Sequence, residues 1–222
     1  MFQELFNFSF ARPGARLAAA GLAALLFAAA PAKAAPECLQ AVFFDLGNTL
    51  VDQTVPAPYP LLSSAQPAID ALQAMDVQVG IITNVPAGWD RDDLEALLAQ
   101  PAFLDEFDVL ILSSQAPAMK PDPAIYTFAH AALPVALPIA ATAFVGETLT
   151  EIANSAVNPT SGARSVGMTG IHVSNAAPSA LADYTIPTNS LTEVATILAS
   201  TCMDFLDGFE NGDTDSWSIV LP

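Results

Sequence analysis

The sequence predicts an α/β fold, a doubly wound parallel sheet with helices on both of its faces. Two observations carry the prediction: short apolar runs recur along the chain, and segments with helical spacing lie between them. The runs are Ala41–Leu46, Val77–Ile82, Val109–Leu112, Ala141–Val145 and Thr169–Val173. Their hydrophobicity is continuous rather than alternating, which suits strands covered on both faces. A third observation agrees with these. Polar residues fall repeatedly at the ends of the runs, and an open parallel sheet binds ligands beyond the carboxyl ends of its strands.

The connecting segments follow in order. Ile69, Leu72 and Met75 recur at helical spacing between the first two runs. Asp92–Ala99 and Ala124–Ala132 read as further helices, and Leu191–Ala199 as a closing one. Pro121 and Pro123 stand where a helix begins, a position that proline tolerates. Val51–Ser63 contains Pro56, Pro58 and Pro60 and reads as an irregular flap. No internal repeat is evident.

Both ends differ from this pattern. Arg12 and Arg16 precede the apolar stretch "LAAAGLAALLFAAA", and Ala32-Lys33-Ala34 supplies a small-x-small cleavage pattern. Residues 1–34 therefore read as a secretory signal peptide, too short for a spanning helix, and no membrane span is expected after its removal. Residues 35–200 read as one domain. Residues 201–222 read as an acidic C-terminal tail, whose "DGFENGDTDSWS" resembles a short terminal sequence of secreted bacterial proteins. Its acids lack the spacing of an EF-hand calcium loop. A periplasmic or secreted location follows as an expectation. Cys38 and Cys202 bracket the domain, and in an oxidising compartment they are expected to form a disulfide.

The chain carries 6 Lys and Arg against 23 Asp and Glu, a net charge of −17. The signal segment holds Arg12, Arg16 and Lys33 but only one acid, Glu4, so its removal leaves a still more negative protein. Such a field repels nucleic acid and anionic membrane surfaces. It also makes each remaining cation, Arg91, Lys120 and Arg164, informative.

Four polar groups follow strands in sequence: Asp45 in "FFDLGNTLV", Thr83-Asn84 in "GIITN", Lys120 in "MKPDPAIY", and Glu147 with Glu151 in "FVGETLTEI". Singly, each has a plain alternative, since strand-end aspartates usually cap turns and a lysine before proline usually faces solvent. As an ordered set they resemble the four motifs of the haloacid dehalogenase superfamily, whose members share a Rossmann-like sheet. "GARSVGM" and "IHVS" resemble the segment that comes next. The resemblance spans about residues 40–200.

The resemblance implies a phosphohydrolase. Asp45 would attack a phosphoryl group and become an aspartyl phosphate, splitting hydrolysis into two displacements. The Thr83 hydroxyl and the Asn84 backbone would hold the phosphoryl oxygens, and Lys120 would neutralise them and steady Asp45. Mg2+ would take oxygen ligands from Asp45, the Gly47 carbonyl and Glu147. Were Glu147–Glu151 to begin a helix, both carboxylates would share a face, and Glu151 would orient a metal-bound water. The gaps where relatives insert caps, 51–80 and 85–119, hold about one helix each. Little or no cap is expected, with an open site. The substrate would be a phosphorylated small molecule or an exposed phosphate on a larger molecule.

Two departures cut against full activity. Related phosphatases usually carry an acid at position 47 that protonates the leaving group and activates water; Gly47 has no side chain. General acid–base help of that kind is typically worth about 10²–10⁴-fold. Glu at position 147, in place of Asp, pushes the carboxylate one methylene further into a site where Mg2+ demands near-octahedral geometry. "IANSAVNPT" lengthens the following segment, and Pro159 falls at a position that is often acidic in relatives. These departures support a rival reading, a catalytically impaired binding or structural protein of the cell envelope. Among other polar residues, His130, His172, Arg91, Arg164 and Trp89 are expected to be structural.

Overall fold

The computed structural model describes residues 38–206, with side chains through Cys202. The signal segment and the tail beyond residue 206 lie outside the described residues. Six strands follow one another in the chain: β1 (Ala41–Phe44), β2 (Gln78–Thr83), β3 (Val109–Leu112), β4 (Thr142–Gly146), β5 (Thr169–Val173) and β6 (Tyr184–Ile186). They form one parallel sheet in the order β3-β2-β1-β4-β5-β6. The winding therefore reverses between β1 and β4, which makes their carboxyl ends the topological switch point. In register, Phe44 lies beside Ile81 on one side and Val145 on the other, so Asp45 emerges next to Gly146.

Five of the strands coincide with the apolar runs. β6 is the addition. It is three residues long, half-buried at Tyr184 and Thr185, and lies at the sheet edge, where a strand needs neither length nor continuous hydrophobicity. The helices are α1 (Ala65–Gln73), α2 (Arg91–Glu95), α3 (Pro123–Ala131), α4 (Leu149–Ile152) and α5 (Glu193–Leu206). α1 buries Ala65, Ala68, Ile69 and Leu72, but Met75 falls beyond its end and is exposed. α2 stops earlier than expected after an Asp90/Asp93 capping box, and a 3₁₀ turn over Pro101–Glu106 takes up the rest of that connection. In α3, Asp122 caps the Ala124 N–H at 2.8 Å with Pro123 in the first turn. α5 runs past residue 200, so the first residues assigned to the tail belong to a helix.

Side-chain alternation divides the core between the two faces of the sheet. Val42 and Phe44 of β1 join Leu46, Ile69, Leu72, Leu191, Val194 and Leu198 on one face. Ala41 and Phe43 join Ile125, Tyr126, Phe144, Ile152 and Met168 on the other. Cys38 and Cys202 are bonded, with Cα atoms 4.4 Å apart and 164 residues of separation. In the chain-entropy description, closing a loop that long removes about 5 kcal/mol from the unfolded state. It also ties α5 to the chain just ahead of β1, where the Leu39 N–H donates to Thr201 Oγ1 at 3.3 Å.

The segment between β1 and α1 is a flap pinned at its base: Leu62 N–H donates to the Leu50 carbonyl and Asp52 N–H to the Pro60 carbonyl, each at 2.9 Å. Isolated bridges join Val51 to both Gly47 and Leu61.

Candidate active site

Asp45 follows β1 directly and is 8% exposed, so its carboxylate sits at the sheet's switch point with little water around it. A carboxylate in such a place needs a counter-charge. Lys120 supplies it: Nζ is 2.5 Å from Asp45 Oδ1 and 2.7 Å from Glu151 Oε2, with its side chain 1% exposed. The Glu151 contact is one of charge against charge, without hydrogen-bond geometry. The ammonium also lies over the Phe144 ring, 5.3 Å from its centre. Three residues far apart in the chain thus form one buried triad.

The loop that carries Lys120 is held from several directions. The Asn84 side chain accepts the Lys120 N–H at 2.9 Å through Oδ1 and donates Nδ2 to the Lys120 carbonyl at 3.0 Å. Gly162 N–H donates to the Pro121 carbonyl at 2.8 Å. Gly162 has φ 82°, and a Cβ there would come within 2.6 Å of the Ile152 backbone, so only glycine lets this support approach so closely. The Tyr126 hydroxyl donates to the Glu151 carbonyl at 2.7 Å, and its ring meets Phe144 edge to face at 5.2 Å. Burial, followed by the charges of Glu151 and Asp45, holds the Tyr126 phenol well above its ordinary pKa, so it remains a donor. Burial likewise raises the pKa of Glu151, and Lys120 opposes that rise.

Most residues singled out in the sequence converge here. Thr83 ends β2 and is 6% exposed. Its hydroxyl makes no hydrogen bond among the described residues. The Asn84 backbone lies next to it, while the Asn84 side chain has the separate task of holding the Lys120 loop. Thr49, fully buried, places Oγ1 3.5 Å from Asp45 Oδ2.

The two fourth-motif acids do not share a helix face. Thr148 is the N-cap of α4, with extended backbone, so Glu147 lies outside the helix that contains Glu151. Glu151 turns to Lys120 and is not aimed at a shared metal position. Glu147 lines an open cleft of about 400 Å³ together with Asn48, Asp52, Ser174, Asn175 and Thr188. Thr148 Oγ1 donates to its carboxylate at 2.9 Å, and His172 Nε2 lies 3.0 Å from its backbone carbonyl. No group of three His, Cys, Asp or Glu side chains converges on one point among the described residues. The donor set of Asp45, the Gly47 carbonyl and Glu147 is nevertheless all oxygen, and the two carboxylates of Asp45 and Glu151 share the one ammonium of Lys120. That chemistry and charge excess fit a hard divalent cation.

The other polar residues are structural, as expected. Arg91 pairs with Glu95 and Asp105. Arg164 pairs with Asp183 at 3.1 Å and donates to the Ala180 and Leu181 carbonyls. His130 Nε2 is 2.9 Å from the Leu137 carbonyl.

A parallel sheet of this order, with a lysine-neutralised carboxylate at its switch point, places the domain in the Rossmann-like class. The family model described as haloacid dehalogenase-like hydrolase matches residues 53–153, a span that takes in Thr83, Lys120, Glu147 and Glu151. Over that span the chain is similar to the haloacid dehalogenase-like hydrolases. Solved structures agree on the fold. A haloacid dehalogenase superfamily hydrolase from Ehrlichia chaffeensis is 13% identical with a TM-score of 0.57, over 75% of this chain and 98% of that one. CbbY from Rhodobacter sphaeroides, in complex with phosphate, is 15% identical with a TM-score of 0.52, over 70% and 96%. YfnB from Bacillus subtilis, bound to magnesium, is 13% identical with a TM-score of 0.55, over 73% and 99%. No curated protein matches the chain in sequence.

Proposed function

We propose that this protein is a phosphohydrolase that works through an aspartyl phosphate on Asp45 and depends on Mg2+. The observation that carries the reading is the buried Asp45–Lys120 contact at 2.5 Å. Lys120 engages one carboxylate oxygen and can neutralise both that group and an arriving phosphoryl group. The Thr83 hydroxyl and the Asn84 N–H provide donors beside it for phosphoryl oxygens. Attack by Asp45 breaks the ester P–O bond, and the alkoxide leaving group takes its proton from solvent or from the substrate, because position 47 offers none. Water then attacks phosphorus and returns the carboxylate.

Asp45, the Gly47 carbonyl and Glu147 would hold Mg2+, which supplies charge neutralisation of the phosphoryl oxygens when bound. The strongly negative chain gives that requirement a physical basis, since a phosphate dianion approaches two carboxylates that share a single ammonium. The open cleft beside Glu147 favours a phosphorylated small molecule or a phosphate exposed on a larger one. The cleavable N-terminal pattern and the Cys38–Cys202 disulfide support a location outside the cytoplasm.

The test incubates the purified protein with Mg2+ and a panel of phosphate esters, beside an Asp45→Asn control. Phosphate release above that control is the expected result. Release no greater than the control, together with no magnesium binding by calorimetry, would refute the enzyme reading. It would leave the second reading, a binding or structural protein of the envelope, which the bare Gly47 and the outward-placed Glu147 favour.

A further inference from the structure

We infer that Gln53, reaching in from the flap, orients the water that hydrolyses the phosphorylated Asp45, a role that rests on the phosphohydrolase reading above. Gly47 lies two residues beyond the nucleophile, and its bare Cα is not empty space. A Cβ built there would lie 2.6 Å from Gln53 Oε1, 2.9 Å from Cδ and 3.0 Å from Nε2. The whole amide of Gln53 thus occupies the position where a side chain of residue 47 would start. Gly47 is not among the glycines with positive φ, so its backbone does not require glycine. What the missing side chain provides is room.

The placement of Gln53 is built into the loop. Its N–H donates to Asn48 Oδ1 at 3.1 Å, and Asn48 itself takes a positive φ of 52° in the turn that follows the nucleophile. On either side, the Val51 bridges to Gly47 and Leu61 and the Asp52–Pro60 hydrogen bond fix the flap's base. The amide itself makes no hydrogen bond to protein among the described residues. It therefore presents one acceptor and two donor hydrogens to solvent against Gly47, two residues beyond the reacting carboxylate in the chain.

An aspartyl phosphate is a mixed anhydride with a good leaving group, so its hydrolysis needs an aligned nucleophile more than a strong acid. The water oxygen forms a bond to phosphorus while the bond between phosphorus and the Asp45 oxygen breaks. Its electron pair returns to the carboxylate, and the water's proton passes to a phosphoryl oxygen or to solvent. Gln53 Oε1 accepts a hydrogen bond from that water and takes no proton. The alternative groups nearby are committed: Glu151 to Lys120, and Asp52 to the Thr54 N–H and hydroxyl.

Three proteins decide the matter: wild type, Gln53→Ala and Gln53→Glu, each given acetyl phosphate and Mg2+ and then quenched in acid. Hydroxylamine-labile phosphate on the protein is followed against free phosphate. The residue is exposed, so both variants should melt with the wild type. Gln53→Ala should form phosphoenzyme as readily but hydrolyse it about 10–100-fold more slowly, so that the intermediate accumulates. Gln53→Glu should give hydrolysis that rises with pH through the ionisation of the new carboxyl, a limb that a structural role would not create. Equal decay of phosphoenzyme in wild type and Gln53→Ala would overturn the role of Gln53 while leaving the phosphohydrolase reading intact. No labile phosphate on any of the three proteins, with no phosphate released, would overturn both.

Discussion

The two flanks of the site are built differently. On one flank, Asp45, Lys120 and Glu151 form a triad with little exposure, and the loop that delivers Lys120 is stapled by Asn84 and Gly162. On the other, Glu147, Asp52 and Asn175 line an open cleft, and Gln53 lies against the bare Gly47. Both departures from the superfamily's usual residues, Gly47 and Glu147, fall on the open flank or beside it. The difference has an energetic basis. A change in the triad strands a buried charge, whereas a change in the cleft alters groups that water already solvates. Substitution is therefore expected to cost little in the cleft and much in the triad.

Lys120→Met is the strongest way to break this contrast. It leaves Asp45 and Glu151 buried without their counter-charge, and the expected loss is about 3–5 kcal/mol in urea unfolding at neutral pH. The loss should shrink on acidification, because protonating either carboxyl relieves the same strain. Asn84→Ala comes next, with an expected loss of about 1–2 kcal/mol from two hydrogen bonds to the Lys120 backbone. Combined with Lys120→Met it should cost less than the sum, since both act on one network.

Glu151→Gln sharpens the comparison through pH. Burial raises the pKa of Glu151 above that of the unfolded chain, so the folded state holds its proton more tightly. The stability associated with that proton is complete below the ordinary glutamate range and is lost as pH rises through the raised value. Wild type should therefore lose stability relative to Glu151→Gln over that window, with no such divergence at lower pH. Chemical unfolding of the two proteins across a pH series reads the effect. Glu147→Gln should have the smallest effect on stability, within about 0.5 kcal/mol. Its consequence should appear in calorimetry as weakened Mg2+ binding. A loss of several kcal/mol in this last variant would erase the distinction between the flanks.

How much was legible in advance follows the same division. Asp45, Thr83, Lys120, Glu147 and Glu151 stand out in the sequence because polar residues that end apolar runs have few reasons to be there. Their ordered spacing then resembles a known set. The assignment of Glu151 beside Glu147 on one helix face did not hold, because nothing in the spacing reveals that Thr148 caps the helix and leaves Glu147 outside it. Asn84 was noticed for its backbone, yet its side chain does the stapling, across 36 residues of sequence. Gln53 carries no local signal at all, and β6 is too short to show a period.

The sequence by itself determined the parallel sheet, the order of its strands' polar ends, the strand-end aspartate and lysine that pair in the site, and the pairing of the two cysteines. These depend on continuous hydrophobic runs, on the rarity of cations in an acidic chain, and on there being two thiols. Only the tertiary structure decided which carboxylate Lys120 shares with Asp45 and what fills the space left by Gly47. Both depend on where loops return in three dimensions. A flap pinned at Val51 sets Gln53 against Gly47, and a helix that starts after Thr148 leaves Glu147 outside the helix that carries Glu151.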